Sequence, residues 1–164
     1  MTGKEAIRAV LTSTQGLVGW YVSDLSDQDL LVRPVPGANH IAWQLGHITS
    51  AEVSLVREVL PEANYPELPA GFTQVHDNKN AHAESSAGFL TKAQYLELFQ
   101  KVREATLAAV DRLTDADLDK PNTGRLAAFA PTLGALLILV SNHTLMHLGQ
   151  FTVVRRKLGK PILF

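Results

Sequence analysis

Apolar residues recur every three to four positions in four long segments of the chain, which is the period of a helix that buries one face. In the second segment, for example, Ile41, Leu45, Ile48 and Leu55 form one stripe. The four predicted helices cover about residues 4–21, 40–60, 92–113 and 132–158. No stretch combines strict alternation with flanking turn residues, so no sheet is predicted. The pattern therefore predicts an all-α fold of four long helices.

Local signals mark where the predicted helices begin and end. Thr2 and Thr91 are each followed three residues later by Glu or Gln, the spacing of a capping box. Asn39 is the predicted N-cap of the second helix, since its short side chain suits that position. Gly159 is the predicted C-terminal stop of the fourth helix.

The connection between the second and third helices, residues 61–90, carries three prolines and little periodicity. Connections of this length are uncommon in compact domains and often form a lid, a pocket wall or a subunit contact. A solvated crossover between two helical hairpins is the other interpretation. Residues 25–30 also resemble residues 113–118. The similarity indicates either a repeat of two helical hairpins or a common helix-capping sequence.

The charge balance and the lack of cysteine exclude several classes of function. Fifteen Lys and Arg residues against sixteen Asp and Glu leave a net charge of −1, so we expect no nucleic-acid partner. Without cysteine, the chain itself forms no disulfide, iron–sulfur cluster or cysteine-ligated zinc site.

Nothing in the sequence predicts secretion or a membrane partner. The first ten residues, MTGKEAIRAV, lack the apolar core of a signal peptide. The longest purely apolar run, residues 135–140, is far shorter than the about 20 residues that span a bilayer. We therefore expect a cytoplasmic protein, and its 164 residues match one domain over residues 1–164.

Three of the six histidines are candidate metal ligands. His143 and His147 are four residues apart in a helix, so their side chains lie about 40° apart and one turn along the axis. They share a face with Val140 and Phe151, which is the predicted core side. Buried imidazoles need polar partners, and either a divalent cation or hydrogen bonds within the core supply them. His47 in the second helix is the third candidate.

Further residues are candidates for a pocket near these histidines. His40 lies two turns before His47, where it lines a pocket or contributes to the helix start. Trp43 forms a pocket wall or packs in the bundle, and Gln150 is placed to hydrogen-bond a ligand or a water. Among the glycines, we expect Gly149 to let a neighbouring helix approach closely.

Four other residues carry weaker expectations. Glu52, a conceivable general base or partner of a ligand, points about 140° away from His47 on a helix. His76 and His82 lie in the long connection, where exposed histidines are ordinary. Arg155 suits the negative end of the last helix.

Two stretches resemble the DinB-like (YfiT-like) superfamily. The first is Asn39-His-Ile-Ala-Trp-Gln-Leu-Gly-His-Ile48, and the second is His143-Thr-Leu-Met-His-Leu-Gly-Gln150. The resemblance implies an up-down-down-up four-helix bundle, often dimeric, with a long crossover between its second and third helices. It also implies a divalent metal ion on three histidines, which by position are His47, His143 and His147.

Characterised branches of this superfamily include metal-dependent transferases that use low-molecular-weight thiols such as bacillithiol or mycothiol. The resemblance thus implies an enzyme that activates such a thiol, or water as in a hydrolase, for attack on a small-molecule electrophile. A thiol would have to arrive as cosubstrate, because the chain has no cysteine. Imidazole suits zinc, nickel and iron, and manganese is a further candidate. The alternative is a non-enzymatic small-molecule-binding or stress-response dimeric bundle.

Overall fold

The computed structural model describes residues 1–82 and 87–163. Its helices are α1 (Gly3–Val22), α2 (Ile41–Val59), α3 (Phe72–Val75), α4 (Lys92–Asp111) and α5 (Leu133–Lys157). The described residues contain no strand, so the predicted all-α fold is confirmed. Residues 83–86 of the predicted connection and residue 164 lie outside the described residues.

The helix ends follow the local signals closely. Thr2 and Thr91 form capping boxes at the starts of α1 and α4, as predicted. Gly159 follows the last residue of α5 and its cap with a φ of 68°, a conformation that glycine adopts without strain. The prediction for α2 is wrong by one residue, because the N-cap is His40 and not Asn39. The His40 Nδ1 atom accepts the Trp43 main-chain N–H at 3.0 Å, the role that an Asn side-chain oxygen usually has.

The four long helices form a bundle in which α1 and α2 lie at opposite corners. Each of them packs against both α4 and α5. Near the start of α1, Arg8 pairs with Asp111 at the end of α4, so these two helices are antiparallel. By contrast, Ser141 of α5 donates to the Val10 carbonyl at 3.1 Å. Further along both helices Arg155 donates to the carbonyl of Tyr21, so α1 and α5 are parallel.

Contacts of α2 complete the topology. Gln44 contacts His147, while one turn later His47 contacts His143, so α2 is antiparallel to α5. The order is therefore up-down-down-up, as predicted. Since α2 and α4 are parallel, their connection must return along the bundle, and a helix of 20 residues is about 30 Å long. This return accounts for the long connection.

Two apolar clusters fill the bundle, and a buried polar layer separates them. One cluster contains Leu11, Val53, Val102 and Val140, and the other contains Val18, Leu45, Phe99 and Phe151. Between them, the Arg103 guanidinium contacts the Glu52 carboxylate through Nε and Nη2 at 2.9 Å each, and both side chains are at most 1% exposed. Arg103 also donates to Thr14 of α1 and Thr144 of α5, so the layer joins all four helices.

No helix in the described part of the chain has both the length and the apolar character required to cross a membrane. The cytoplasmic location and the limits of the domain stay predictions.

Candidate metal centre

One imidazole nitrogen from each of His47, His143 and His147 lies within 4.8 Å of the other two. The Nε2 atoms of His143 and His147 are 3.2 Å apart. Two nitrogens bound to one tetrahedral zinc ion at 2.0–2.1 Å would be about 3.4 Å apart. The α5 pair therefore already has nearly the spacing of two ligands on a shared ion, and α2 brings the third imidazole beside them.

Hydrogen bonds determine which nitrogen of His147 carries the proton. Its Nδ1 atom lies 2.9 Å from Gln44 Oε1, and the Gln44 amide nitrogen donates to the Asn39 carbonyl at 2.9 Å. Because that carbonyl only accepts, it orients the amide so that Oε1 faces His147. His147 Nδ1 must then carry the proton, which leaves a lone pair on Nε2 for a cation.

His47 is held in the same way by a main-chain group. Its Nδ1 atom lies 3.1 Å from the carbonyl oxygen of His76, so Nδ1 donates and Nε2 keeps its lone pair. The Trp43 ring stacks on the His47 ring with centroids 4.6 Å apart and planes 12° apart. Trp43 is 2% exposed and packs on a candidate ligand, while its place as a pocket wall stays a prediction.

Burial favours the neutral form of all three imidazoles. Desolvation, together with a smaller effect of the neighbouring imidazoles, lowers the pKa of His143 to about 4 and that of His147 to about 3. Desolvation also lowers the pKa of His47, although its hydrogen bond to His76 opposes the shift. The neutral form is the one that binds a metal ion, so the donor set fits a divalent cation.

The three histidines, here called the cluster, are partly accessible to solvent. His47 and His143 are half-buried, and a groove of about 240 Å³ begins at His47. Polar side chains account for most of its lining: Ser50, Ser54, Thr73, Asp77, Asn78 and Arg125. The groove therefore places polar side chains beside one candidate ligand, His47.

Comparison with known proteins places the fold and these residues in one family. The sequence matches the family model of the DinB superfamily over residues 11–151, a range that contains all three histidines. The chain belongs to the DinB superfamily. Members of this superfamily are often metalloenzymes, and the three-histidine group is compatible with that chemistry.

A second comparison finds similarity to a diphosphomevalonate decarboxylase from Debaryomyces hansenii, with 30% identity over 82 residues. The match covers 49% of this chain but 21% of that protein. The chain therefore spans about a fifth of the length of this relative.

Two further residues of this DinB superfamily member lie in the core, and Glu52 points away from His47 as expected. Glu52 is in the buried layer with Arg103 and also accepts from Thr106 at 2.6 Å, so its carboxylate is engaged away from the cluster. Arg155 is not simply a cation at a helix end, because it is 3% exposed and forms an ion pair with Asp24.

The three remaining pocket and glycine expectations have mixed outcomes. His40 caps α2 and is buried against Phe89, which is the helix-start interpretation. Gln150 is exposed, and its predicted place in a pocket stays a prediction. The expectation for Gly149 is wrong within the described part of this chain, because a Cβ atom there would meet no described neighbour within 4 Å.

The roles of two residues beside the histidines were not predicted from the sequence. Gln44 carried a signal, since it lies one turn before His47 within the quoted stretch. His76 was expected to be exposed, and this is wrong: its side chain is 0% exposed. It hydrogen-bonds to the Phe72 carbonyl and to the Tyr95 hydroxyl, both at 2.7 Å, while His82 is exposed as expected.

Proposed function

We propose that this DinB superfamily member is a divalent-metal-dependent enzyme acting on a small-molecule electrophile, with His47, His143 and His147 as ligands. One observation carries the proposal: three imidazoles converge within 4.8 Å while hydrogen bonds occupy the Nδ1 atoms of two of them. Three protein ligands leave coordination sites open, as catalytic metal sites do.

The cation, whether zinc, nickel, iron or manganese, supplies Lewis-acid chemistry that favours the deprotonated form of water or of a thiol at neutral pH. The residues of the chain bind and orient. Gln44 fixes the tautomer of His147, the His76 carbonyl accepts a hydrogen bond from His47, and Trp43 covers one face of His47. The groove beside His47 admits the small molecule.

A low-molecular-weight thiol such as bacillithiol or mycothiol is the proposed cosubstrate of a transferase. The protein has no thiol of its own, so a thiol nucleophile must come from a cosubstrate. Water is the nucleophile in the hydrolase version of the same proposal. The two versions share the histidine ligands and differ only in what attacks the electrophile.

Metal-free protein is expected to take up one zinc ion per chain on reconstitution, measured by elemental analysis after gel filtration. Free zinc at 100 times its Kd should add about 2.7 kcal/mol of stability, because the ion binds the folded state alone. For a chain of this size, that raises Tm by roughly 5–11 °C in a thermal scan. A protein that binds none of the four metals after reconstitution contradicts the proposal and favours a non-enzymatic bundle.

The attacking group is identified by comparing two reactions of the zinc-loaded and zinc-free protein. Bacillithiol with 1-chloro-2,4-dinitrobenzene reports thiol transfer, and 4-nitrophenyl acetate reports hydrolysis. An ordinary thiol of pKa about 8.5 is roughly 3% ionised at pH 7, so complete ionisation raises the attacking form up to about thirtyfold. We therefore expect zinc to raise the rate of the bacillithiol reaction by up to about thirtyfold. A rise confined to the second assay shows a hydrolase, and no zinc-dependent rise in either contradicts the enzyme proposal.

A further inference from the structure

In the described part of the connection between α2 and α4, the main chain of His76 hydrogen-bonds to a candidate metal ligand, His47. We infer that His76 is a positioning residue that selects the tautomer and orientation of His47. Gly46 leaves space for the His76 ring, and Tyr95 holds that ring in place by a hydrogen bond. The inference concerns the ligand set of the proposed function, although the position of His47 can be measured without metal.

The His76 carbonyl is available because of where the residue lies. The short helix α3 ends at Val75, and His76 is its C-cap. Carbonyl groups at a helix C-terminus have no partner in the helix itself, so they accept from elsewhere. Here the carbonyl accepts from Nδ1 of His47 at 3.1 Å.

The His76 ring anchors that carbonyl. Both of its nitrogens are engaged, with Nδ1 donating to the Phe72 carbonyl and Nε2 accepting from the Tyr95 hydroxyl, each at 2.7 Å. The Phe72 ring packs on it with centroids 4.3 Å apart, and the side chain is fully buried. A ring held at both nitrogens has little freedom, and with no free nitrogen it is not itself a metal ligand.

Gly46 is the point where this ring meets α2. A Cβ atom on Gly46 would lie 2.1–2.4 Å from three atoms of the His76 ring, closer than any real contact. The ring therefore lies directly on the α2 backbone at the residue before His47. The same residue, His76, thus contacts α2 twice: its ring touches position 46 and its carbonyl holds the side chain at position 47.

A residue that serves only in packing would bury the His76 ring equally well. The test must therefore measure a property of His47 itself, namely its tautomer. Tyr95→Phe removes the hydroxyl that donates to His76 and leaves His47 itself unchanged. Tyr65→Phe is the matched control, because the Tyr65 hydroxyl is also buried and bonded, to Thr106 at 2.8 Å, but away from the cluster. Nitrogen-15 spectra of the imidazoles in metal-free protein give the His47 tautomer, and competition with a chelating dye gives the zinc Kd.

In the parent, His47 is expected to be one tautomer, protonated at Nδ1. Tyr95→Phe should mix the two tautomers and weaken zinc binding about tenfold, the lower end of the range for outer-shell partners of metal ligands. Tyr65→Phe should keep the parent tautomer and a Kd within about twofold of the parent.

Gly46→Ala tests the same unit from α2. Displacement of the His76 ring should weaken zinc binding by roughly 10- to 100-fold and change the His47 tautomer. Gly16→Ala in α1 is its control, because a Cβ atom there meets nothing within 4 Å, and it should leave both readouts at parent values.

Parent-like tautomer and zinc affinity in Tyr95→Phe overturn the inference, and His76 is then a packing residue only. If Gly46→Ala does not fold, Tyr95→Phe, which loses one oxygen atom, decides the question by the same two readouts. If the parent binds no zinc, the proposed function fails, and the tautomer of His47 in metal-free protein still supports or overturns the positioning role.

Discussion

Replacing both His143 and His147 by alanine is expected to abolish stoichiometric metal binding, with a loss in zinc affinity greater than about 100-fold. Changes to outer-shell partners alone cost 10- to 100-fold, and this variant removes two of three ligands. The remaining His47 offers a single nitrogen, which does not retain an ion against water. Elemental analysis after reconstitution and dye competition measure the loss, and far-UV circular dichroism checks that the bundle is intact.

His82→Ala is the control for this variant. His82 is an exposed histidine of the same chain, outside the three-histidine group, so its loss should leave zinc stoichiometry unchanged. If the double variant folds and still binds one zinc ion with parent affinity, the ion is held elsewhere and the assignment of ligands is wrong.

Arg103→Met is expected to lower the free energy of unfolding by about 3–5 kcal/mol. The substitution keeps a long side chain in the core but leaves the Glu52 carboxylate buried without its counter-charge. It also removes the donors to Thr14 and to the Leu11 carbonyl, so the layer that joins the four helices is interrupted. Urea unfolding followed by circular dichroism gives the change in free energy.

Two variants separate the effect of the unpaired charge from other losses. Arg103→Met/Glu52→Leu removes both charges and should recover most of the lost stability, because a buried pair contributes little beyond its desolvation cost. Arg8→Met breaks a surface pair with Asp111, 40% and 53% exposed, and should cost less than about 1 kcal/mol. An Arg103→Met loss no larger than the Arg8→Met loss contradicts the role of the buried pair.

Helix positions could be predicted from the sequence because their causes are local. The fourth predicted helix, residues 132–158, is observed as Leu133–Lys157, since Thr132 accepts from the first turn and Gly159 follows the last. The wrong prediction of Asn39 as the N-cap of α2 also has a local cause. An imidazole nitrogen took the capping role that an Asn oxygen usually has.

The core side of α5 was predicted from Val140 and Phe151, and both are buried, but the helix also carries apolar residues on its outer side. Leu145, Met146 and Val153 are 45–59% exposed in this chain, whereas Leu148 and Phe151 are in the core. The homodimer that the family resemblance implies would cover such a face, and it stays a prediction.

Sequence spacing alone established that His143 and His147 share a face, because residues four apart in a helix always do. It did not join them to His47, which lies about a hundred residues away on another helix and was added by the family resemblance. The fold joins them because α2 and α5 are antiparallel neighbours. The role of His76 depended entirely on the fold, since an aperiodic connection carries no signal of which side chain will end up against Gly46. The spacing of residues along one helix thus determines which of them share a face. Contacts between distant segments form only when the helices pack together.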